Sequence, residues 1–514
     1  MAEPARETRA LAGIAAAAVA LGVTQLLAVG FGPQADARTA VGSVVIDITP
    51  GPVKEWAIAT FGMADKLVLS VLVLAVIALV AALTATLESR RAPVGSVAIV
   101  LAGVAGCVAV LSRPEATLAD VVPTLVGTAC GVAVLRLLVC GRITDRPADD
   151  RADPGRRLSL LALGVLAAGA VTGVAGVVLS RLTSSVSADR DAFVLPRADA
   201  AAPPVGPDVQ PKGAGDVALP SFITDNDEFY RIDTALTVPQ LSRTDWQLTI
   251  HGMVDRETTY RFDDLQRFEA IEKLVTLTCV SNPVGGDLIG NAAWSGYRVR
   301  DLLAEAGIHP DADMVLSTSV DGFTAGTPVE ALTDGRDALL AVGMNGEPLP
   351  TEHGYPARLV VPGLYGYVSA TKWVVDLEVT RFDRAEAYWT KRGWSARGPI
   401  KTQSRIDVPR SGQSLAPGPV TFGGVAWAQH RGIRGVEVRI DGPGGTDGWR
   451  QADLGASYSD DTWRLWSFAW QAEPGPHTIT VRATDNTGAV QTEQVADPVP
   501  DGASGWHTVS FTVT

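Results

Sequence analysis

The sequence predicts a multi-domain chain in three parts: an all-α transmembrane bundle, an α+β domain and an all-β sandwich. Three observations predict it. Residues 1–182 are dominated by Ala, Val, Leu and Gly, with charge confined to short patches. Residues 225–405 mix strand-like and helix-like periods, and residues 406–514 alternate apolar with polar between Gly/Pro-rich turns. A chain of 514 residues is also too long for one core, and should divide at roughly 150 residues per domain. Residues 183–224, rich in Pro, Ala and Gly without sustained periodicity, read as a linker leaving the membrane.

The first part carries about five stretches near the ~20 residues that cross a ~30 Å hydrocarbon core: residues 11–31, 67–87, 94–111, 121–139 and 158–180. Basic residues fall at alternate ends of successive stretches: Arg6 and Arg9, Arg90 and Arg91, then Arg142, Arg146, Arg151, Arg156 and Arg157. The positive-inside rule makes those ends cytoplasmic. An odd number of spans then places everything after Ser180 outside the cytoplasm, in a multi-pass protein of the cell membrane. Residues 35–66 read as an external loop with an interfacial helix, and Gly169 with Gly173 suits close helix packing. All six histidines lie beyond the last span, which argues against a membrane haem with His ligands. The spans also lack a chain of acids for proton relay, so the region reads as an anchor, with Arg136 snorkelling to the cytoplasmic surface. Arg156-Arg157-Leu158-Ser159-Leu160-Leu161 resembles a twin-arginine export signal, against the plainer reading of two arginines that set orientation.

The net charge of −13, with no Lys/Arg stripe, argues against nucleic-acid binding. Of the four cysteines only Cys279 lies in the water-soluble part. A lone thiol there is a small buried hydrophobe, a nucleophile or a metal thiolate. It follows an apolar run and precedes the Gly285-Gly286 turn.

Within the α+β part, residues 246–250, 274–277, 359–361 and 373–379 read as strands and residues 299–306 as a helix with Leu302, Leu303 and Ala306 on one face. Residues 436–440, 466–470 and 477–483 read as strands of the last part, separated by turn sequences such as 474–477 and 485–488. An immunoglobulin-like sandwich without a disulfide is the expected architecture.

The segments 276–303 and 344–379 resemble the sulfite oxidase family of molybdopterin-dependent oxidoreductases, of a membrane-anchored bacterial type. The most specific stretch is His353-Gly354-Tyr355-Pro356-Ala357-Arg358-Leu359-Val360-Val361-Pro362-Gly363. The similarity runs over residues 225–514, and the sandwich resembles that family's C-terminal dimerisation domain, which implies a homodimer. The resemblance implies a molybdenum–molybdopterin cofactor, with Cys279 as metal ligand and catalytic centre. It implies Arg358 and Lys372 on the cofactor phosphate, with His353 and Thr371 beside them, and Tyr230 and Arg231 on the pterin.

These residue types suit the chemistry. A molybdenum centre works on its pterin dithiolene, and the protein adds a soft thiolate, a phosphate grip and a dry pocket; Arg forks phosphate and Lys acts as a point charge. Taken singly, each has a plainer reading: Cys279 an inert buried thiol, Arg358 and Lys372 surface ion-pair residues, Tyr230 a core aromatic, His353 a backbone-bonded structural residue. Their joint occurrence at the family's spacings favours function. Trp294, Tyr365, Tyr367, Trp389 and Trp394 are candidates to line a substrate funnel, or core residues.

Two departures bear on the substrate. Where sulfite oxidases carry an arginine pair after the cysteine, this chain has Pro283 and Val284, and Phe323 stands where the family often has a tyrosine. A desolvated anion without paired cations is costly. The expectation is therefore two-electron oxygen-atom transfer with a small neutral donor or acceptor, an S-oxide or N-oxide. Electrons pass to or from an external membrane cytochrome, small carrier or quinone. The alternatives are a sulfite dehydrogenase whose anion site is rebuilt from other arginines, such as Arg298 or Arg397, and a non-enzymatic surface binding protein with a vestigial molybdopterin fold.

Overall fold

The computed structural model describes every residue except 1–4, 51–52, 54–55, 57–59, 62–64, 114–115, 141–153, 216 and 447. It divides into two compact units, Met1–Ser185 with Ala235–Val238, and Val186–Thr234 with Pro239–Thr514.

The first unit consists of helices α1 (Arg6–Ala28), α2 (Ala37–Ile48), α3 (Asp65–Thr86), α4 (Val94–Leu111), α5 (Val122–Cys140) and α6 (Pro154–Ser184). Among the described residues five helical stretches are long and apolar enough to cross a membrane: Arg6–Ala28, Leu67–Thr86, Val94–Leu111, Leu118–Cys140 and Arg156–Ala192. The first begins and ends earlier than its hydropathy predicts. Arg6 and Arg9 are absorbed into its first turns, and the chain leaves the helix before Gly32, whose φ is +98°. The expected interfacial helix begins as α2, capped by Asp36, whose carboxylate accepts from the Arg38 and Thr39 amides. Much of the rest of that loop, and Arg142, Arg146 and Arg151, lie outside the described residues.

Arg6, Arg9, Arg90, Arg91, Arg136, Arg156 and Arg157 lie toward one end of this unit, while Arg113 and Arg181 lie at the opposite ends of their helices. Arg9 donates to the Thr86 carbonyl at 3.3 Å, Arg90 to the Cys140 carbonyl at 2.8 Å, and Thr8 meets Ser159 beside Arg156 and Arg157. Arg136 lies 3.7 Å from Glu88, whose buried carboxylate accepts from the amide and hydroxyl of Ser96. It thus faces a carboxylate at the same end of the bundle. Small residues let α1 and α6 approach: a methyl group added at Gly169 would come within 2.7 Å of the Ala18 carbonyl carbon, and one at Gly173 within 3.5 Å of Gly22 Cα. Gly169→Leu should therefore overpack the α1–α6 contact by about 1–3 kcal/mol and lower the thermal midpoint of the detergent-solubilised protein. Gly164→Leu, into open space, should leave it unchanged.

In the second unit, residues 186–222 run as a strap over the domain. The strap opens with α7 (Ser187–Ala192). The Asp189 carboxylate accepts from Arg243 at 2.9 Å and from the Tyr355 hydroxyl at 2.7 Å, and the Pro203 carbonyl accepts from Tyr458. The α+β domain follows with β1 (Gln247–Gly252), β2 (Thr258–Arg261), β3 (Ala270–Thr278), β4 (Ile289–Arg298), α8 (Val299–Ala306), β5 (Met314–Ser319), β6 (Thr324–Pro328), α9 (Val329–Thr333), β7 (Leu339–Met344), β8 (Glu347–Pro348), β9 (Arg358–Val360) and β10 (Val374–Thr380). One sheet runs β2-β1-β10-β5-β6; the other runs β3-β4-β7-β8, with β9 also on β7. Helix α8 buries Val299, Leu302, Leu303 and Ala306, the face its 3.6-residue period predicts.

The C-terminal part is all β: β11 (Gln403–Val408), β12 (Ser414–Leu415), β13 (Gly418–Trp427), β14 (Ile433–Gly442), β15 (Gly445–Thr446), β16 (Arg450–Gln451), β17 (Asp453–Leu454), β18 (Arg464–Ala472), β19 (Gly475–Asp485) and β20 (His507–Val513). Its sheets run β11-β13-β18-β17 and β12-β20-β19-β14-β15, with β16 on β14. Phe422 and Trp466 of one sheet share a core with Val436, Val438, Ile479, Val481 and Phe511 of the other. Strand β11 already pairs with β13 from Gln403, three residues before the expected start of this part. Strand β19 likewise begins at Gly475, inside a segment that reads as a turn.

His507 opens β20, and its Nδ1 accepts the Ile406 amide at 3.0 Å. Burial, and then Arg405, hold its pKa down at about 4. The unfolded chain takes up that proton near the ordinary 6.5, so it binds more protons than the folded state between the two values. Stability must fall as pH drops from about 6.5 to about 4. His507→Gln should remove up to about 3 kcal/mol of this acid loss, read as a flatter thermal midpoint against pH.

Candidate functional site

Strand β3 delivers Cys279. Its last residue, Thr278, precedes a tight connection to β4 in which the Cys279 amide donates to the Leu288 carbonyl and the Asn282 amide to the Cys279 carbonyl. The Asn282 side-chain oxygen accepts from the Leu288 amide, while its Nδ2 is buried without a partner among the described residues. Cys279 itself is 8% exposed. Burial pushes its thiol up, and hydrogen bonds from Ser281 pull the other way.

On the other side of the site, β9 and the short segment before β10 gather positive charge. Arg358 is 5% exposed and donates to the carbonyls of His353 at 3.0 Å, Ala370 and Leu359. Its guanidinium lies 5.0 Å from the centre of the Trp294 ring. Burial lowers its pKa to about 10. Among the described residues no carboxylate pairs with it. Lys372 donates to Asp233 at 2.8 Å and to the Glu352 carbonyl at 3.0 Å; burial lowers its pKa to about 8, with Asp233 opposing. Asp233, 5% exposed on its side chain, also accepts from Arg231 at 2.9 Å. His353 Nε2 faces the Asn226 carbonyl at 3.1 Å, and burial, then Arg358 and Lys372, press its pKa to about 4. Tyr230 is partly buried beside Phe229. Its hydroxyl is pushed up by burial and then by Cys279, while Arg358 pulls it down, so it senses both halves of the site.

The structure therefore brings together Cys279, Tyr230, Arg231, His353, Arg358 and Lys372. Thr371 lies next to them in sequence, but its hydroxyl is occupied by Ser317 at 2.7 Å and its carbonyl by the Leu359 amide. Of the funnel candidates, Trp294 is wholly buried beneath Arg358 and donates to the Val275 carbonyl. Tyr367, Trp394, Trp389, Tyr388 and Phe323 form a chain of rings with centres 5.2–6.1 Å apart. Arg298 pairs with Glu269 and Asp337, and Arg397 with Glu330 at 3.3 Å. Asp233 escaped the sequence reading; its one signal is the Arg231-x-Asp233 spacing.

The donor set matches a pterin dithiolene with a phosphate tail. One soft thiolate suits molybdenum, and a buried guanidinium with only carbonyl acceptors calls for an anion. Comparison with known proteins agrees. Residues 235–389 match the family model for the oxidoreductase molybdopterin binding domain. The uncharacterized oxidoreductase YuiH of Bacillus subtilis is 33% identical over 155 residues, 30% of this chain and 75% of that protein. The chain belongs to the sulfite oxidase family of molybdopterin-dependent oxidoreductases. Mouse mitochondrial sulfite oxidase is 29% identical over 345 residues, 57% of this chain; the match spans 62% of the mouse protein's length. The crystal structure of the sulfane dehydrogenase SoxCD from Paracoccus pantotrophus superposes with a TM-score of 0.50 at 25% identity, over 58% of this chain and 85% of that one. The cofactor this family membership implies is molybdenum–molybdopterin.

Replacing Arg358→Gln removes charge-assisted bonds of about 1.5–3 kcal/mol each. The purified variant should retain pterin about ten- to a hundredfold less tightly, measured as pterin fluorescence remaining after dialysis.

Proposed function

We propose that this chain is a membrane-anchored, extracytoplasmic molybdenum enzyme that carries out two-electron oxygen-atom transfer on a neutral S-oxide or N-oxide. The observation that carries the reading is the buried guanidinium of Arg358, held only by carbonyl oxygens and unpaired by any described carboxylate. When bound, the cofactor supplies the two-electron redox chemistry. Arg358 and Lys372 would hold its phosphate, with His353 and Arg231 adding donors; Tyr230 would lie against the pterin, and Cys279 would ligate the metal as thiolate. Water is kept out by the packed shell of Trp294, Tyr365 and Tyr367, each under 9% exposed.

A neutral substrate is favoured by what surrounds the thiol. Pro283 and Val284 replace the arginine pair, and Arg298 and Arg397 are engaged elsewhere. Reduction of an oxide balances as loss of its oxygen as water, with two protons from solvent and two electrons from an external carrier: a membrane cytochrome, a small soluble carrier or a quinone. The excess of basic residues at one end of the helical unit, against Arg113 and Arg181 at the other, supports cytoplasmic placement of that end and external placement of the second unit. The two-sheet part supports an immunoglobulin-like sandwich and a homodimer.

Metal and pterin analysis of the purified full chain tests this reading. Near one molybdenum per chain is expected in the wild type, and Cys279→Ser should lose the thiolate-dependent absorption and turnover of S-oxides with a reduced dye. A wild-type protein matured with an intact cofactor pathway yet free of metal and pterin overturns it.

A further inference from the structure

Strand β3 has a sheet partner on one side only. Strand β4 pairs with it from Ala270 to Thr278, and its other edge faces away from the sheet. Near its start that edge is met by the strap, where the Glu272 amide donates to the Ala200 carbonyl. Near its end it is met by the sandwich. The Thr276 amide donates to the Asp461 carbonyl at 3.0 Å, and the Trp463 amide to the Thr276 hydroxyl at 2.8 Å. The Thr276 carbonyl is taken by Gln429, whose Nε2 donates to it at 2.9 Å and to the Thr278 hydroxyl at 2.9 Å. Gln429 is 0% exposed and lies in the connection between β13 and β14. The residue after Thr278 is Cys279.

We propose that Gln429 is a positioning residue for the metal thiolate: its two hydrogen bonds to Thr276 and Thr278 set the end of β3, and with it the direction in which Cys279 presents its sulfur. The proposal rests on the molybdenum reading above. It follows from geometry and cost. An amide that bridges a main-chain carbonyl and a hydroxyl across two residues fixes both their separation and the twist of the strand between them. Loss of its donor leaves two buried acceptors unsatisfied, so the strand end must shift to find other partners. The other end of the connection is held from the same side. Arg405 donates to the Gly286 carbonyl at 3.0 Å, and the His507 ring packs on Gly285, whose φ is +79°. The Cys279 connection is thereby gripped at both ends by the sandwich. Metal–sulfur bonding depends on the angle at the ligand, so partners outside the ligand shell tune the centre through orientation.

The test uses the full-length holoenzyme in detergent. Gln429→Leu removes the donor at similar volume; Thr278→Val removes one acceptor and spares the Thr276 bond. Molybdenum and pterin content, the thiolate-to-molybdenum absorption band normalised per molybdenum, and the thermal midpoint are recorded together. The expected result is a displaced band in the loaded fraction of Gln429→Leu and a smaller displacement in the same direction in Thr278→Val, with the band at the wild-type position in Leu219→Ala, a change elsewhere in the same unit. Loaded variants whose band per molybdenum matches the wild type, whatever their thermal midpoint, overturn the proposal and leave Gln429 a purely structural residue. A wild-type protein with metal but no Cys279-dependent band overturns it as well, whereas absence of molybdenum from the wild type overturns the cofactor reading beneath it.

Discussion

A guanidinium buried among carbonyl oxygens is the constraint on which the candidate site depends. Taking Arg358 out of water costs several kcal/mol even after relaxation. Its acceptors, the carbonyls of His353, Ala370 and Leu359, satisfy its hydrogens without neutralising its charge. The neighbours make the field more positive. Lys372 and Arg231 share the one carboxylate of Asp233, and His353 responds by staying neutral to a pH of about 4. Such a cluster persists in a folded domain when an anion completes it. A phosphate at the end of a pterin is an anion of the right kind, and Trp294 beneath Arg358 supplies a π-face that softens the desolvation in its absence.

The soft side of the site is built by a different device. Cys279 sits where an edge strand ends, and edge strands leave unpaired main-chain groups that must find partners. Here the strap takes the start of the edge and the sandwich takes its end through Asp461, Trp463 and Gln429. The two-sheet part is thus more than an appended module. Its residues complete the sheet that carries the thiol, and its connection around Gln429 could not be removed without exposing the Thr276 amide and carbonyl. The domain boundary in sequence is therefore not a boundary in the hydrogen-bond network of the site.

What was legible in the sequence follows the range of each interaction. Helix α8 announces itself through Leu302, Leu303 and Ala306 because its burial pattern is local. The position of Cys279 at a strand end was equally readable, since the apolar run and the Gly285-Gly286 turn lie within a few residues of it. The arginine, lysine and histidine of the positive cluster were readable only through resemblance, because nothing in their spacing states that Arg358 is buried without a counter-charge. Asp233 had only the local Arg231-x-Asp233 spacing to mark it: its meaning comes from Lys372, 139 residues away. Gln429, 153 residues from Thr276, is a similar case, a polar residue in a β connection whose partners are set by tertiary packing. Thr371 shows the converse. Its neighbours suggest a ligand contact, yet folding commits its hydroxyl to Ser317.

Charge also bears on what the site can accept. Arg358 is held by carbonyl oxygens and Lys372 and Arg231 by Asp233, while several cations further out are paired with local carboxylates: Arg298 with Glu269 and Asp337, Arg397 with Glu330, Lys401 with Asp501. In the proposed reading an anionic substrate approaching Cys279 passes Pro283 and Val284, which offer neither charge nor side-chain donor. A neutral oxide loses little on the same path, because its dipole needs one or two hydrogen bonds where an anion needs a countercharge. The rings from Tyr367 to Phe323 offer π-faces that pack against apolar and sulfur-bearing groups, with the Arg392 guanidinium 3.5 Å from the centre of the Tyr388 ring. In the proposed reading, a positive cluster that demands a negative charge thus stands beside an approach to Cys279 that suits a neutral substrate.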